Sequence, residues 1–381
     1  MHISERKPHN AEEHLLSREE IMHALELMVH RMRVIDSGCA NAFPLYSPGT
    51  TDRWVVSSGG SWVGGFWSGC WWLRSRITGS TSDQCKASEI CQRLSGKTNG
   101  DSINRSLIFW YGAALGDFWF GNATARKLVE ESIVAIAAFY DPEMNCIPLG
   151  TAMGGGKGGS EFITIDTLAS LIQLLNYSEH SVYHHISRCH ADTLLAACGH
   201  GDGAFHTSAH FSHGHLRPTG HAGVWSRGQA WAMLGLSRAA AQWGEPYLTH
   251  ATSACEYWRC SRPEPLPPDR LDHPSALCDP SSSVIASLAM LSLADLMPGD
   301  NRWRTYAHRQ ITTVVLSQYF TGFQGSNRHQ DNKDGAASGI FWGCCYKTSQ
   351  GKDELVESAW GSFFLMAALC VLVDAVESHH C

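Results

Sequence analysis

The sequence predicts an all-α fold, an (α/α)6 barrel in which six helical hairpins of alternating outer and inner helices close into a toroid. Three observations predict it. A segment apolar nearly all round, about four turns long and opened by small or polar residues, recurs six times along the 381 residues. More polar segments of helical period fall between these repeats. Alternating β-branched runs are short and confined to places such as Trp54 to Ser57, which disfavours a parallel-sheet enzyme.

The elements follow in order. Arg18 to Ile35 places Ile21, Leu25, Met28 and Met32 at three- and four-residue steps, the single apolar stripe of an outer helix. Trp62 to Ile77 is the first inner segment, and burial on most of its surface explains its nearly continuous apolar character. Outer Ser82 to Leu94 precedes inner Asn104 to Phe118, and outer Ala123 to Tyr140 precedes inner Ile163 to Tyr177. The pattern continues with Ser181 to Ala197 before Arg227 to Trp243, then Pro246 to Trp258 before Ser281 to Leu296, then Arg302 to Tyr319 before Glu357 to Val376. Residues 1–17 read as a polar tail and 18–381 as one barrel domain without an internal linker. The long connections rich in Gly, Pro and His, such as Gly199 to Gly223 and Thr321 to Lys352, are expected to cover the ligand end of the barrel.

Composition narrows the function. A net charge of −7, from 36 acidic against 29 basic residues, offers no basic face for a phosphate backbone, so nucleic acid is not an expected partner. Met1 to Glu20 lacks an apolar signal stretch, and no run of about 18 apolar residues occurs elsewhere; a cytoplasmic protein without a membrane partner is expected. The 14 cysteines are scattered through helix-like apolar stretches and read as reduced core residues. Cys344 and Cys345 have no matching CxxC partner, so no zinc ribbon is indicated.

Five inner segments carry a further signal. GGFWSGCWWL, TIDTLASLIQLL, WSRGQAWAMLGL, DPSSSVIASLAML and SAWGSFFLMAAL resemble, in order and spacing, the inner-helix signatures of unsaturated glucuronyl hydrolases and the related unsaturated rhamnogalacturonyl hydrolases. WSRGQAW together with GFWSG is the specific part of this resemblance, which runs from Trp62 to Leu372. It implies a hydrolase acting on a small sugar substrate, a 4,5-unsaturated uronic-type residue, by hydration of its enol-ether double bond. This chemistry departs from paired-carboxylate glycoside hydrolysis but still needs a placed proton donor and base.

Asp166, in FITIDTLASLI, is an acid at an apolar helix start, where burial raises a carboxyl pKa towards neutrality. Capping the helix is its alternative role. The resemblance makes it the general acid/base. By the same resemblance Asn104, in SINRSLIFWYG, stands where the family has its other active-site carboxylate, and Gly64, Ser362 and Ala367 occupy further acidic positions. Asn accepts and donates hydrogen bonds but takes no proton.

Arg227 and Gln229, in WSRGQAW, are expected at the cavity mouth, the guanidinium to meet a substrate carboxylate and the amide to bind hydroxyls or water. Trp62, Trp67, Trp225 and Trp231 either stack on sugar faces or pack in the core. The resemblance implies a substrate-binding histidine about ten residues before the Trp of WSRGQAW. His215 fits, with His221 and His213 as rivals. The same loop also contains His206 and His210, and zinc chelation is its alternative reading, but no carboxylate or thiolate partner is evident and no metal or cofactor is expected. GGGKGG, Gly154 to Gly159, reads as a flexible substrate-covering loop rather than a phosphate loop, and Asp279 as a helix cap that also borders the cavity. Loss of the family carboxylates keeps two other functions open: a tailoring enzyme of specialised metabolism acting on an enol ether by isomerisation, water addition or elimination, and a non-catalytic sugar-binding protein.

Overall fold

The structure, a computed structural model, describes residues 14–273, 277–323, 338–349 and 351–381. In chain order the helices are α1 (Arg18–Gly38), α2 (Gly64–Thr78), α3 (Thr81–Gln92), α4 (Arg105–Phe109), α5 (Leu115–Phe120), α6 (Ala123–Ala137), α7 (Leu168–Asn176), α8 (Ser181–Cys198), α9 (Ser226–Trp243), α10 (Tyr247–Ser261), α11 (Pro280–Leu296), α12 (Arg302–Leu316) and α13 (Ala359–Leu372). A π-helical turn, Trp110–Ala114, joins α4 to α5 into one inner element.

The inner elements α2, α4–α5, α7, α9, α11 and α13 each pack on the next, and α13 returns to α2 to close the ring. Outer helices α3, α6, α8, α10 and α12 each lie against the inner element beside them in sequence, while α1 lies against α13. The first helix of the chain is therefore the outer partner of the last. Its start is fixed by a capping box between Ser17 and Glu20, and Ile21, Ala24, Leu25, Met28, Met32 and Ile35 are buried along its inner stripe. Leu16, expected in the tail, is also buried, and its N–H donates to Thr312 Oγ1 at 3.1 Å.

Small residues set how closely the ring packs. A Cβ on Gly65 would lie 2.4 Å from Ile108 Cα, and one on Gly69 would lie 2.8 Å from the Phe363 ring, so GGFWSG lets α2 sit directly on both neighbours. Within the π turn the Gly112 carbonyl accepts from Ser68 Oγ at 2.7 Å and Trp72 Nε1 at 2.9 Å. These bonds tie the π turn to α2.

Two antiparallel sheets depart from the sequence expectation. Strands β1 (Phe43–Pro48), β2 (Val55–Ser57), β6 (Cys344–Ser349) and β7 (Lys352–Ser358) form one, in the order β2-β1-β7-β6; β3 (Phe162–Thr164), β4 (Ser208–Ser212) and β5 (His215–Thr219) form the other. Segments such as KDELVES and SAHFS are polar and short, and β1 pairs with β7 across most of the chain. No local alternation announces such strands. They also shorten two helices: Ile163 lies in β3 and α7 begins at Leu168, while Glu357 lies in β7 and α13 begins at Ala359.

Because every inner element runs the same way, their N-terminal ends gather at one end of the ring. The other end holds the C-terminal segment, where buried Arg238 donates to Ser378 O at 2.8 Å and to Cys381 O. All fourteen cysteines are free. Among the described residues no helix is long and apolar enough to cross a membrane.

Candidate active site

A cavity of about 220 Å³ opens among the N-terminal ends of the inner elements, lined by Trp62, Asn104, Leu107, Asp166, Trp225, Arg227, Trp231, Tyr346 and Trp360. Six of these are sequence-predicted site residues. Leu107, Tyr346 and Trp360 were not foreseen in this role.

Asp166 sits in a 3-10 turn, Ile165–Thr167, between β3 and α7. The turn is anchored from both sides: Ile165 N–H donates to Thr207 O at 3.0 Å, and Asp166 N–H donates to Thr164 Oγ1 at 3.4 Å. The side chain borders the cavity, yet its Oδ1 is buried without a hydrogen-bond partner. Burial pushes this carboxyl up to about 6, with the nearby Arg227 charge pulling the other way. A half-buried acid of this kind holds or releases a proton near neutral pH.

Arg227, in the first turn of α9, is enclosed by three groups. Its guanidinium carbon lies 5.0 Å from the Trp225 ring and 4.9 Å from the Trp360 ring, and Nη1 pairs with Asp279. Asp279 is fully buried; it also accepts from Ser281 Oγ and, at 3.4 Å, from Cys345 N–H. It makes no side-chain cap bond to α11, so its carboxylate serves Arg227 rather than the helix terminus. Burial pulls the guanidinium pKa down, but Asp279 and Asp269 outweigh it and the net displacement is upward. Asp269 accepts from Trp225 Nε1 at 3.0 Å; burial, then the Asp279 charge, push its carboxyl up to about 6.

Asn104 precedes α4, and its Nδ2 donates to Met153 O at 3.1 Å. Its carbonyl oxygen has no partner among the described residues and remains available as an acceptor. Met153 belongs to the loop leading into GGGKGG. Expected to be flexible, this loop is hydrogen-bonded within itself and to Asp101: Gly150 N–H donates to Gly159 O at 3.1 Å, and Thr151 N–H and Oγ1 donate to the Asp101 carboxylate at 3.0 and 2.6 Å.

Four predicted residues lie elsewhere. Gln229 is buried in packing between α9 and α10, not at the cavity mouth: Oε1 accepts from Phe205 N–H at 2.9 Å, and Nε2 donates to Gly203 O at 2.9 Å and Ala254 O at 3.4 Å. It follows Arg227 by two residues, which on a helix turns it to another face. Trp67 is a core residue, edge-on to Trp71 with centroids 6.2 Å apart. His215 opens the exposed strand β5, and His221 is exposed beyond it, as is His213 at the β4–β5 turn. Of the other loop histidines, His210 reaches Glu161 at 3.3 Å and His206 Nδ1 lies 3.3 Å from Thr219 O. Among the described residues no three His, Cys, Asp or Glu side chains converge to hold a metal. Trp360 lies in the quoted SAWGSFF, so its motif was visible though its role was not. Tyr346 sits on an unforeseen strand. Asp269 had no motif signal.

No family model matches the chain. A curated relative, the unsaturated glucuronyl hydrolase of Bacillus sp. (strain GL1), is 23% identical over 368 residues, covering 88% of this chain and 92% of that protein. This chain resembles the unsaturated glucuronyl hydrolases. The crystal structure of the unsaturated glucuronyl hydrolase from Bacillus sp. GL1, described as responsible for the degradation of glycosaminoglycan, matches with a TM-score of 0.80 at 20% identity, covering 93% of this chain and 97% of that one. A variant unsaturated glucuronyl hydrolase from Streptococcus agalactiae, complexed with dGlcA-GalNAc6S, matches with a TM-score of 0.74 at 15% identity, covering 96% and 94%. The toroid of helical hairpins is shared with both.

Proposed function

We propose that the chain is a glycoside hydrolase-like enzyme that hydrates the enol-ether double bond of a 4,5-unsaturated uronic-type sugar, with Asp166 as general acid/base. The observation that carries this reading is the Asp166 carboxyl, unpartnered at Oδ1 and displaced to about 6, facing a tryptophan-lined cavity beside Arg227.

Protonated Asp166 delivers its proton to C4, and positive charge develops over C5 and the ring oxygen. Water adds at C5 and returns a proton to the carboxylate. The C5 hemiketal then opens by breaking its bond to the ring oxygen, and the C1 hemiacetal left behind expels the aglycone as an alcohol. One carboxyl serves both proton transfers, so Asn104 needs only to accept a hydrogen bond from a hydroxyl or the water. Arg227 meets the sugar carboxylate, and Trp62, Trp225 and Trp231 offer ring faces to the apolar side of the sugar.

Asn104 also favours a second reading, a tailoring enzyme of specialised metabolism that isomerises, hydrates or eliminates at an enol ether without releasing an aglycone. Incubation with lyase-generated unsaturated disaccharides separates the two. Loss of the enol-ether ultraviolet absorbance with aglycone release, slowed by about 10²-fold or more in Asp166→Asn, supports hydrolysis. No loss on any disaccharide by folded protein refutes it.

A further inference from the structure

The connection between α10 and α11 is fastened to the start of α9. Ser226 N–H donates to Asp269 O at 2.8 Å, Ser226 Oγ to Pro268 O at 2.6 Å, and Leu271 N–H to Val224 O at 3.0 Å. Between these backbone ties, the Asp269 carboxylate accepts the Trp225 indole N–H at 3.0 Å. Trp225 lines the cavity, and its ring centroid lies 5.0 Å from the Arg227 guanidinium carbon. Asp269 itself does not line the cavity.

We infer that Asp269 is a positioning residue: through the Trp225 indole it fixes the aromatic surface against which Arg227 is held, and so sets how tightly the cavity takes an anionic sugar. This rests on the proposed function for its ligand, but not for its geometry. The tryptophan side chain turns about two bonds, and the hydrogen bond to Asp269 is what selects the orientation that covers Arg227. Without it a part-buried indole N–H loses its acceptor, and the ring is free to leave the guanidinium. The pairing of Arg227 with Asp279 and its contact with Trp360 survive that loss, so the cation stays in place while one of its two aromatic faces is uncovered. Asp269 carries a carboxylate where an amide oxygen would serve the same bond, which gives a conservative variant to test.

The test compares Asp269→Ala with Asp269→Asn. KM and kcat are measured on a lyase-generated unsaturated disaccharide, and the Trp225 indole resonance is recorded without substrate by ¹⁵N NMR, assigned with Trp225→Phe. Asp269→Ala is expected to raise KM about tenfold with kcat changed less than about threefold, and to move the indole resonance upfield with faster hydrogen exchange. Asp269→Asn is expected to restore both towards wild type. An unchanged KM in Asp269→Ala, an unmoved indole resonance, or equal effects of Ala and Asn would each overturn the inference. If wild type consumes no disaccharide, the proposed activity fails, and the substrate-free indole resonance still decides whether Asp269 holds Trp225.

Discussion

Asn104 and Asp166 face the same cavity from the starts of two inner elements, yet their surroundings are opposite. The Asn104 amide is committed: its nitrogen donates to Met153 O, and Met153 is held by a loop anchored on Asp101. The Asp166 Oδ1 is buried with no partner, and burial lifts the carboxyl to about 6. A carboxylate at 104 would turn a negative oxygen towards the Met153 carbonyl, whereas an amide satisfies it. A neutral amide at 166 would lose the titrating proton that the cavity isolates. On the proposed function, one wall binds and the other exchanges a proton, so that reading routes the chemistry through a single acid.

The largest expected effect breaks that asymmetry at its active side. Asp166→Asn should lower turnover by about 10² to 10⁴-fold, read as initial rates on an unsaturated disaccharide. The same substitution should raise the melting temperature above pH about 6. The sign follows from linkage: a carboxyl pKa raised on folding means that the native state holds the proton longer, so stability falls as pH climbs from the ordinary carboxylate range through about 6, and Asn removes that penalty. Thermal melts of both proteins on either side of pH about 6 check it.

Next in size is Gln229→Ala, which strips partners from Phe205 N–H and Gly203 O in a buried position and should destabilise by about 2 kcal/mol in chemical unfolding. Asn104→Asp sharpens the comparison from the other wall: a carboxylate set against Met153 O should lower activity about tenfold at neutral pH, with partial recovery on acidification as the new carboxyl protonates. Higher activity at pH about 7 in Asn104→Asp would show that the cavity still has a working place for a second carboxylate. The smallest effect belongs to His215→Ala and His221→Ala, exposed residues whose substitution should change kcat/KM by less than about twofold.

The ring of helices was legible because each inner element is apolar nearly all round and each outer one carries a stripe, two patterns that periodicity separates. Asp166, Asn104, Arg227 and three of the four tryptophans were reachable because they lie at the starts of those same segments, where the ring opens. Gln229 and Trp67 illustrate the limit: they share motifs with Arg227 and Trp62, but helical geometry turns them onto backbone carbonyls and into the core. His215 was placed by counting along a connection that instead folds as the β4–β5 hairpin and carries it outward. Asp269 and Tyr346 come from connections whose path is set by pairing across long stretches of sequence, and no spacing rule reaches them.

The central claim is that one titrating carboxyl, Asp166, drives the chemistry. Its most direct test follows enol-ether absorbance across pH about 5 to 8 in wild type and Asp166→Asn. A wild-type rate that declines above pH about 6 as Asp166 loses its proton, with decay in the variant slower by about 10²-fold or more at every pH, is the result expected. A variant that clears substrate at the wild-type rate, or a wild-type rate that rises through pH about 6, would contradict the assignment.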